Sequence, residues 1–176
     1  MQVALFGGAF DPPHLGHVLC ACWARSAGGV DAVWVLPAAN HPYGKDMLAW
    51  EKRWSLCQLA FEGFGFVEVR DDELRNPNGR TFDLVQQLSA AHPDHEWALI
   101  GGSDTREDLP NWYRGEELRD MVDIIAVPRR GFDDNPAALP EISSTLIRER
   151  IANGEDITGL VPATVQAAIA ARSLYH

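Results

Sequence analysis

The chain has 176 residues, 46% of them hydrophobic and 23% charged, and a formal net charge of −10. That size and balance suit one domain, residues 1–176, with a sizeable core. The acidic balance argues against a general nucleic-acid binder, which needs a basic face, and no apolar run reaches membrane-span length.

Taken in chain order, Val3 to Phe6 is a short apolar run expected to be a buried strand, with Gly7-Gly8 leaving it. Val18 to Ala27 reads as a helix ended by Gly28-Gly29. Asp31 to Leu36 reads as a strand stopped by Pro37, and Asn40 to Asp46 as a loop carrying Pro42, Gly44 and Lys45. Trp50 to Phe61 has helical apolar spacing, Gly65 to Val69 is a short strand, and Asn76 to Gly79 is a turn. Thr81 to His92 is a helix with Thr81 as its expected N-cap. Glu96 to Ile100 is a strand followed at once by Gly101-Gly102-Ser103-Asp104. A short helix (Glu116 to Met121), a strand (Asp123 to Val127) and a polar loop (Gly131 to Pro140) come next. Ser143-Ser144-Thr145 opens a helix to about Asn153, ended by Gly154, and Pro162 starts a final helix through Ala171.

Strands alternating with helices predict an α/β fold: a Rossmann-like parallel sheet covered on both faces, with right-handed crossovers and C-terminal helices. Ligands bind such sheets beyond the carboxyl ends of the strands, so Gly7-Gly8 and Gly101-Gly102 are expected on one rim. There is neither a G-x-G-x-x-G nor a G-x-x-x-x-G-K-[ST] sequence, which disfavours an ordinary dinucleotide cofactor site and a P-loop. Cys20, Cys22 and Cys57 are an odd set without framework or zinc spacing, expected to be reduced, mostly buried and helical. With no signal peptide visible, this suits the cytoplasm.

Gly7-Gly8-Ala9-Phe10-Asp11-Pro12-Pro13-His14-Leu15-Gly16-His17 is the most informative stretch. A strand, a Gly turn and a helix N-terminus make a phosphate-binding arrangement. Two histidines three residues apart share one face at the helix start. Their presence suggests that phosphate is handled chemically as well as held. Ile142-Ser143-Ser144-Thr145-Leu146-Ile147-Arg148 adds hydroxyls at a second helix N-terminus and an arginine one turn on. His41, His92, His95 and His176 lack a partner pattern and are expected in loops or on the surface. The run Asp71-Asp72-Glu73 is expected to be a solvated face.

With both motifs in place, the chain resembles the nucleotidyltransferases that carry G-x-F-x-P-x-H-x-G-H and S-S-T-x-I-R motifs. Within them it is most similar to the bacterial nicotinate-nucleotide adenylyltransferases. The resemblance extends to Gly101-Gly102-Ser103-Asp104, Leu109-Pro110-Asn111-Trp112, Thr81-Phe82-Asp83, Lys45 and the ending Leu160-Val161-Pro162 to Leu174-Tyr175. It implies a single displacement, in which the 5′-phosphate of nicotinate mononucleotide attacks the α-phosphorus of ATP. Pyrophosphate leaves and deamido-NAD forms.

The same resemblance implies roles for individual residues. His14 and His17 contact the ATP phosphates, Lys45 and Arg148 bind the triphosphate, and Gly102 and Asp104 hold the ribose. Gly7, Gly8, Ala9, Phe10, Ser143, Ser144 and Thr145 complete the ATP site. Trp112 stacks on nicotinate, Thr81 helps recognise its carboxylate, and Lys45 also faces the mononucleotide. Mg²⁺ is carried mainly by phosphates and water, because it dehydrates reluctantly. The chain departs from the family pattern at Ala9 (usually Thr or Ser), Arg80 (commonly Tyr), Leu84 (a second Thr) and in two short loops. Arg80 is thereby a candidate cation for the nicotinate carboxylate. The residues leave open transfer to nicotinamide mononucleotide, phosphopantetheine or a phosphorylated alcohol, and a nucleotide-binding module without turnover.

Overall fold

The computed structural model describes residues 1–39, 47–102, 104–128 and 138–175. The loop expected at Asn40 to Asp46, with Lys45 and His41, lies outside them, as do Ser103, His176 and most of the loop expected from Gly131. Five strands, β1 (Gln2–Gly8), β2 (Ala32–Pro37), β3 (Val67–Val69), β4 (Glu96–Gly102) and β5 (Val122–Val127), pair in parallel in the order β3-β2-β1-β4-β5. The helices are α1 (Leu15–Ser26), α2 (Trp50–Ala60), α3 (Thr81–Ala91), α4 (Thr105–Asp108), α5 (Gly115–Met121), α6 (Ser144–Ala152) and α7 (Ala163–Ala171).

Alternation along the central strands divides the core in two, since successive side chains point to opposite faces. Ala4 and Phe6 of β1 and Ala98 of β4 join Ala21, Leu56, Ile147 and Val165, so α1, α2, α6 and α7 cover that face. Val3, Leu5, Trp97 and Leu99 join Phe82, Val85, Leu88 and Leu118, so α3 and α5 cover the other. Strand order reverses direction between β1 and β4. A doubly wound sheet opens a crevice at such a switch point.

Several expectations need correction. Gly7-Gly8 and Gly101-Gly102 do not leave their strands. They end them, paired with Leu36-Pro37 and Ala126-Val127. A glycine still donates and accepts in a ladder, and the neighbouring strands run that far. Helix α1 starts at Leu15, which places His17 in its first turn. Thr81 is the first helical residue of α3 and Arg80 holds the N-cap position, with no side-chain cap bond. The preceding turn delivers Arg80 in extended conformation, and Asn76 Nδ2 donates to its carbonyl at 3.3 Å. Asp72 is buried, not solvated: it pairs with Arg70 at 2.8 Å and Arg75 at 3.2 Å in a 3₁₀ turn, Asp72–Arg75. Cys57 is buried, whereas Cys20 and Cys22 are half-buried, all three as free thiols. His92 and His95 lie in the loop after α3, as expected, where they stack at 5.2 Å and pack beside Trp34.

The segment after β4 folds through α4 and a 3₁₀ turn, Leu109–Asn111, both too short for periodicity to reveal. Gly115 closes it. A Cβ there would lie 2.0 Å from the Leu109 carbonyl oxygen, a backbone atom with no room to yield. Gly115→Ala should therefore cost about 1–3 kcal/mol or more through overpacking. Thermal unfolding of the variant checks this, with an unchanged melting temperature as the contrary result.

Candidate active site

The loop between β1 and α1 is held by its carbonyl groups. Ser144 Oγ donates to the Pro12 carbonyl at 2.9 Å, and Arg148 Nη1 donates to the Asp11 carbonyl at 2.7 Å. Arg148 Nη2 also reaches Thr145 Oγ1 at 3.3 Å. Ser143 is the N-cap of α6, accepting the Leu146 N–H at 3.2 Å. The second motif thus grips the first. A guanidinium carries five N–H groups, so Arg148 keeps donors for a phosphate. Phe10 sits in the left-handed region at φ +48° with its side chain buried, an uncommon placement for a non-glycine residue. Its ring lies against Phe6 and His17, with centroids at 5.3 and 4.6 Å.

The two histidines form one unit. The His14 backbone N–H donates to His17 Nδ1 at 3.1 Å, so the proton of a neutral His17 sits on Nε2. The rings stack with centroids 3.7 Å apart. Gly16 allows this, since a Cβ there would lie 2.9 Å from His14 Nδ1. Burial lowers the His14 pKa to about 4, and burial together with His14 holds His17 well below the usual imidazole value. Both rings are therefore neutral near pH 7. His14 Nδ1 is buried without a hydrogen-bond partner.

A cleft of about 360 Å³ opens beside them. His14, Gly16, His17, Gly101, Gly102, Ser143 and Ser144 supply its polar lining. Phe6, Ile100, Val127, Leu139, Pro140 and Ile142 form an apolar wall that suits a planar base, with Cys20 beside them. The structure thus brings together five residues expected at the ATP site: His14, His17, Gly102, Ser143 and Ser144. A Cβ on Gly7 would meet nothing within 4 Å, and one on Gly8 would approach the Phe10 ring at 3.2 Å. Asp104 stands exposed just beyond β4, at the N-cap position of α4. The apolar wall escaped sequence reasoning, because its members read as ordinary strand and loop residues.

Of the residues expected at the mononucleotide, Thr81, Arg80 and Trp112 lie on the other face, and Lys45 lies outside the described residues. Trp112 is half-buried against the core that includes Leu109 and Leu118, and its Nε1 donates to Asp108 at 2.9 Å. Arg80 lies over the Tyr113 ring at 3.9 Å, and Arg114 over the Phe82 ring at 3.9 Å. The Phe82 and Tyr113 rings, 6.4 Å apart, join the start of α3, where Thr81 sits, to the segment after Trp112. Three further polar residues at the phosphate loop passed without a role in the sequence: Asp11, Arg53 and Tyr175. Among the described residues, no group of three His, Cys, Asp or Glu side chains is placed to hold a metal ion. No helix among them is long and apolar enough to cross a membrane.

A histidine held neutral by burial binds its proton more readily in the unfolded chain, so stability rises with pH while the two states differ. The His14 contribution is complete above about pH 6.5 and declines as pH falls toward 4, by about 3 kcal/mol at pH 4. Melting curves from pH 7 to 4 should fall more steeply for the wild type than for His14→Gln. Parallel curves would contradict the assignment.

Residues 5–150 match the Cytidylyltransferase-like family. A probable nicotinate-nucleotide adenylyltransferase of Anaeromyxobacter sp. (strain K) is 41% identical over 181 residues, 99% of this chain and 97% of that protein. Another, from Myxococcus xanthus (strain DK1622), is 38% identical over 99% of this chain and 95% of its own length. Among solved structures, Plasmodium falciparum nicotinic acid mononucleotide adenylyltransferase complexed with NaAD shares the fold. Its TM-score is 0.82 at 19% identity, covering 99% of this chain and 97% of that one. The chain belongs to the Cytidylyltransferase-like family and, within it, to the nicotinate-nucleotide adenylyltransferases.

Proposed function

We propose that this chain, as one nucleotidyltransferase domain, transfers the adenylyl group of ATP to nicotinate mononucleotide. The bond from the acceptor's 5′-phosphate oxygen to the α-phosphorus forms. The bond to the bridging oxygen breaks, releasing pyrophosphate and leaving deamido-NAD. The observation that carries this reading is the stacked His14–His17 pair, which lines one cleft with Ser143 and Ser144. The acceptor brings its own nucleophile, so the protein's work is positioning and charge stabilisation.

His17, its Nδ1 occupied by the His14 N–H, presents an Nε2 donor where charge builds on the phosphates. An anionic triphosphate beside the pair pulls both imidazole pKa values upward and strengthens donation. Arg148 and Lys45 add cationic donors. Gly102 and Asp104 take the ribose, and the apolar wall takes the base. Mg²⁺ would be carried mainly by the phosphates of ATP and by water, because it dehydrates reluctantly. Trp112 offers the nicotinate ring a face, oriented by Asp108. Thr81 and Arg80 take the carboxylate. Three free thiols support work in a reducing compartment, the cytoplasm.

Pyrophosphate release from ATP and Mg²⁺ with a panel of acceptors tests the assignment. Nicotinate mononucleotide should be preferred. Release with phosphopantetheine alone would overturn the acceptor, and tight ATP binding without any release would favour a binding module. His17→Ala should lower kcat by roughly a hundredfold or more, the scale of a lost transition-state donor. Its stability should fall by only about 1 kcal/mol, the scale of a helix cap. Equal loss of activity and folded fraction would return His17 to a structural role. Arg80→Ala should narrow the preference for nicotinate over nicotinamide mononucleotide, and an unchanged ratio would remove Arg80 from recognition.

A further inference from the structure

Arg53 is one of the most deeply buried large side chains in the protein, at 1% exposure, although it carries a charge. Its guanidinium donates to three backbone carbonyls from three separate stretches of chain. Nη1 reaches Ala9 in the phosphate loop at 2.7 Å, Nη2 reaches Ala38 after β2 at 2.8 Å, and Nε reaches Leu48 before α2 at 2.7 Å. The counter-charge is Asp11, 3% exposed, in the same loop. Its carboxylate accepts the Tyr175 O–H at 2.8 Å and the Leu48 N–H at 3.4 Å. The residue at 48 is thus gripped at both ends, by Asp11 through its N–H and by Arg53 through its carbonyl.

A trans peptide is planar, with N–H and C=O on opposite sides. By holding the Ala9 carbonyl toward α2, Arg53 turns the Phe10 N–H the other way. Phe10 lies in the left-handed region at φ +48° and Tyr175 at φ +68°. Backbone held there costs on the order of 1–3 kcal/mol and persists only where surroundings over-determine it. Burial and the adjacent Asp11 push the Tyr175 phenol well above its usual pKa, so it remains a donor.

We infer that Arg53 is a positioning residue for adenylyl transfer, with Tyr175 locking Asp11 beside it, and that this buried hub sets the geometry in which the phosphate loop meets the triphosphate. The inference rests on the proposed ATP site. Neither residue lines the cleft. Arg53 acts through the Ala9 carbonyl, and Tyr175 through the Asp11 carboxylate. A lysine at 53 keeps the charge but has one nitrogen, which cannot span three carbonyls.

Two variants and two readouts test the hub. Arg53→Lys and Tyr175→Phe are compared with wild type by kcat and KM for each substrate. Calorimetric affinity for α,β-methylene-ATP with Mg²⁺ is measured alongside, and all values are normalised to folded protein from thermal melts. Folded Arg53→Lys should lose roughly tenfold or more in kcat, since misplacement of about 1 Å costs up to about a hundredfold. Analogue affinity should weaken as well. Tyr175→Phe should move kcat of the folded protein the same way by roughly threefold, with a lower melting temperature from the bond lost to a buried carboxylate. Wild-type kcat and analogue affinity in folded Arg53→Lys would overturn the inference. If Arg53→Lys does not fold, Tyr175→Phe decides: unchanged kcat and affinity overturn the hub, and a loss in either supports it. Should the wild type release no pyrophosphate with any acceptor, the adenylyl-transfer reading fails, and the analogue affinities alone then decide the hub.

Discussion

The site depends on one constraint: the loop between β1 and α1 is neither strand nor helix, so several of its carbonyls have no ladder or helix to satisfy them. Side chains from elsewhere do so instead. Arg53 of α2 takes the Ala9 carbonyl, Arg148 of α6 takes that of Asp11, and Ser144 of α6 takes that of Pro12. Two of these donors are charged, and charge-assisted hydrogen bonds are roughly twice as strong as neutral ones. With the carbonyls turned into the protein, the loop can keep Phe10 in a left-handed conformation and present the histidine pair at the start of α1.

The sheet itself divides the expected site residues between its two faces. The cleft uses Phe6 and Ile100, side chains on the α1 and α6 face of the sheet. Trp112 and Phe82 belong to the core on the α3 and α5 face. On the proposed assignment of substrates, donor and acceptor sides lie on either side of β1 and β4, where the strand order reverses. A phosphate held over the carboxyl ends of these two strands is reachable from both. The histidines stand nearer the cleft side, consistent with work on the triphosphate. Their burial keeps them neutral, and neutrality leaves Nδ1 of His17 to accept the His14 N–H, which fixes Nε2 as the donor.

Much of this was legible in the residues. Apolar runs such as Val3 to Phe6 and Asp31 to Leu36 located the strands, because strands buried on both faces are nearly continuously apolar. Glycine ends of strands were misplaced. Gly7-Gly8 and Gly101-Gly102 carry no side chain from which a strand can be recognised, and pairing with neighbours decides their state. Thr81 was taken for a cap on residue type, but the turn through Asn76 puts Arg80 there. Asp72 looked solvated within an acidic run until the fold set Arg70 and Arg75 around it. The apolar wall of the cleft was invisible, since Ile100, Val127 and Ile142 come from three distant segments with no shared spacing.

By itself the sequence determined the layered α/β architecture, and its two short motifs carried the resemblance that implies adenylyl transfer. Periodicity and short motifs are local, and these conclusions need only local information. Tertiary structure decided how the motifs are held. Arg53, Asp11 and Tyr175 lie up to 164 residues apart in the chain, and only folding brings them into one buried hub. It also decided which His17 nitrogen carries the proton, because that follows from a hydrogen bond to His14 and not from residue type.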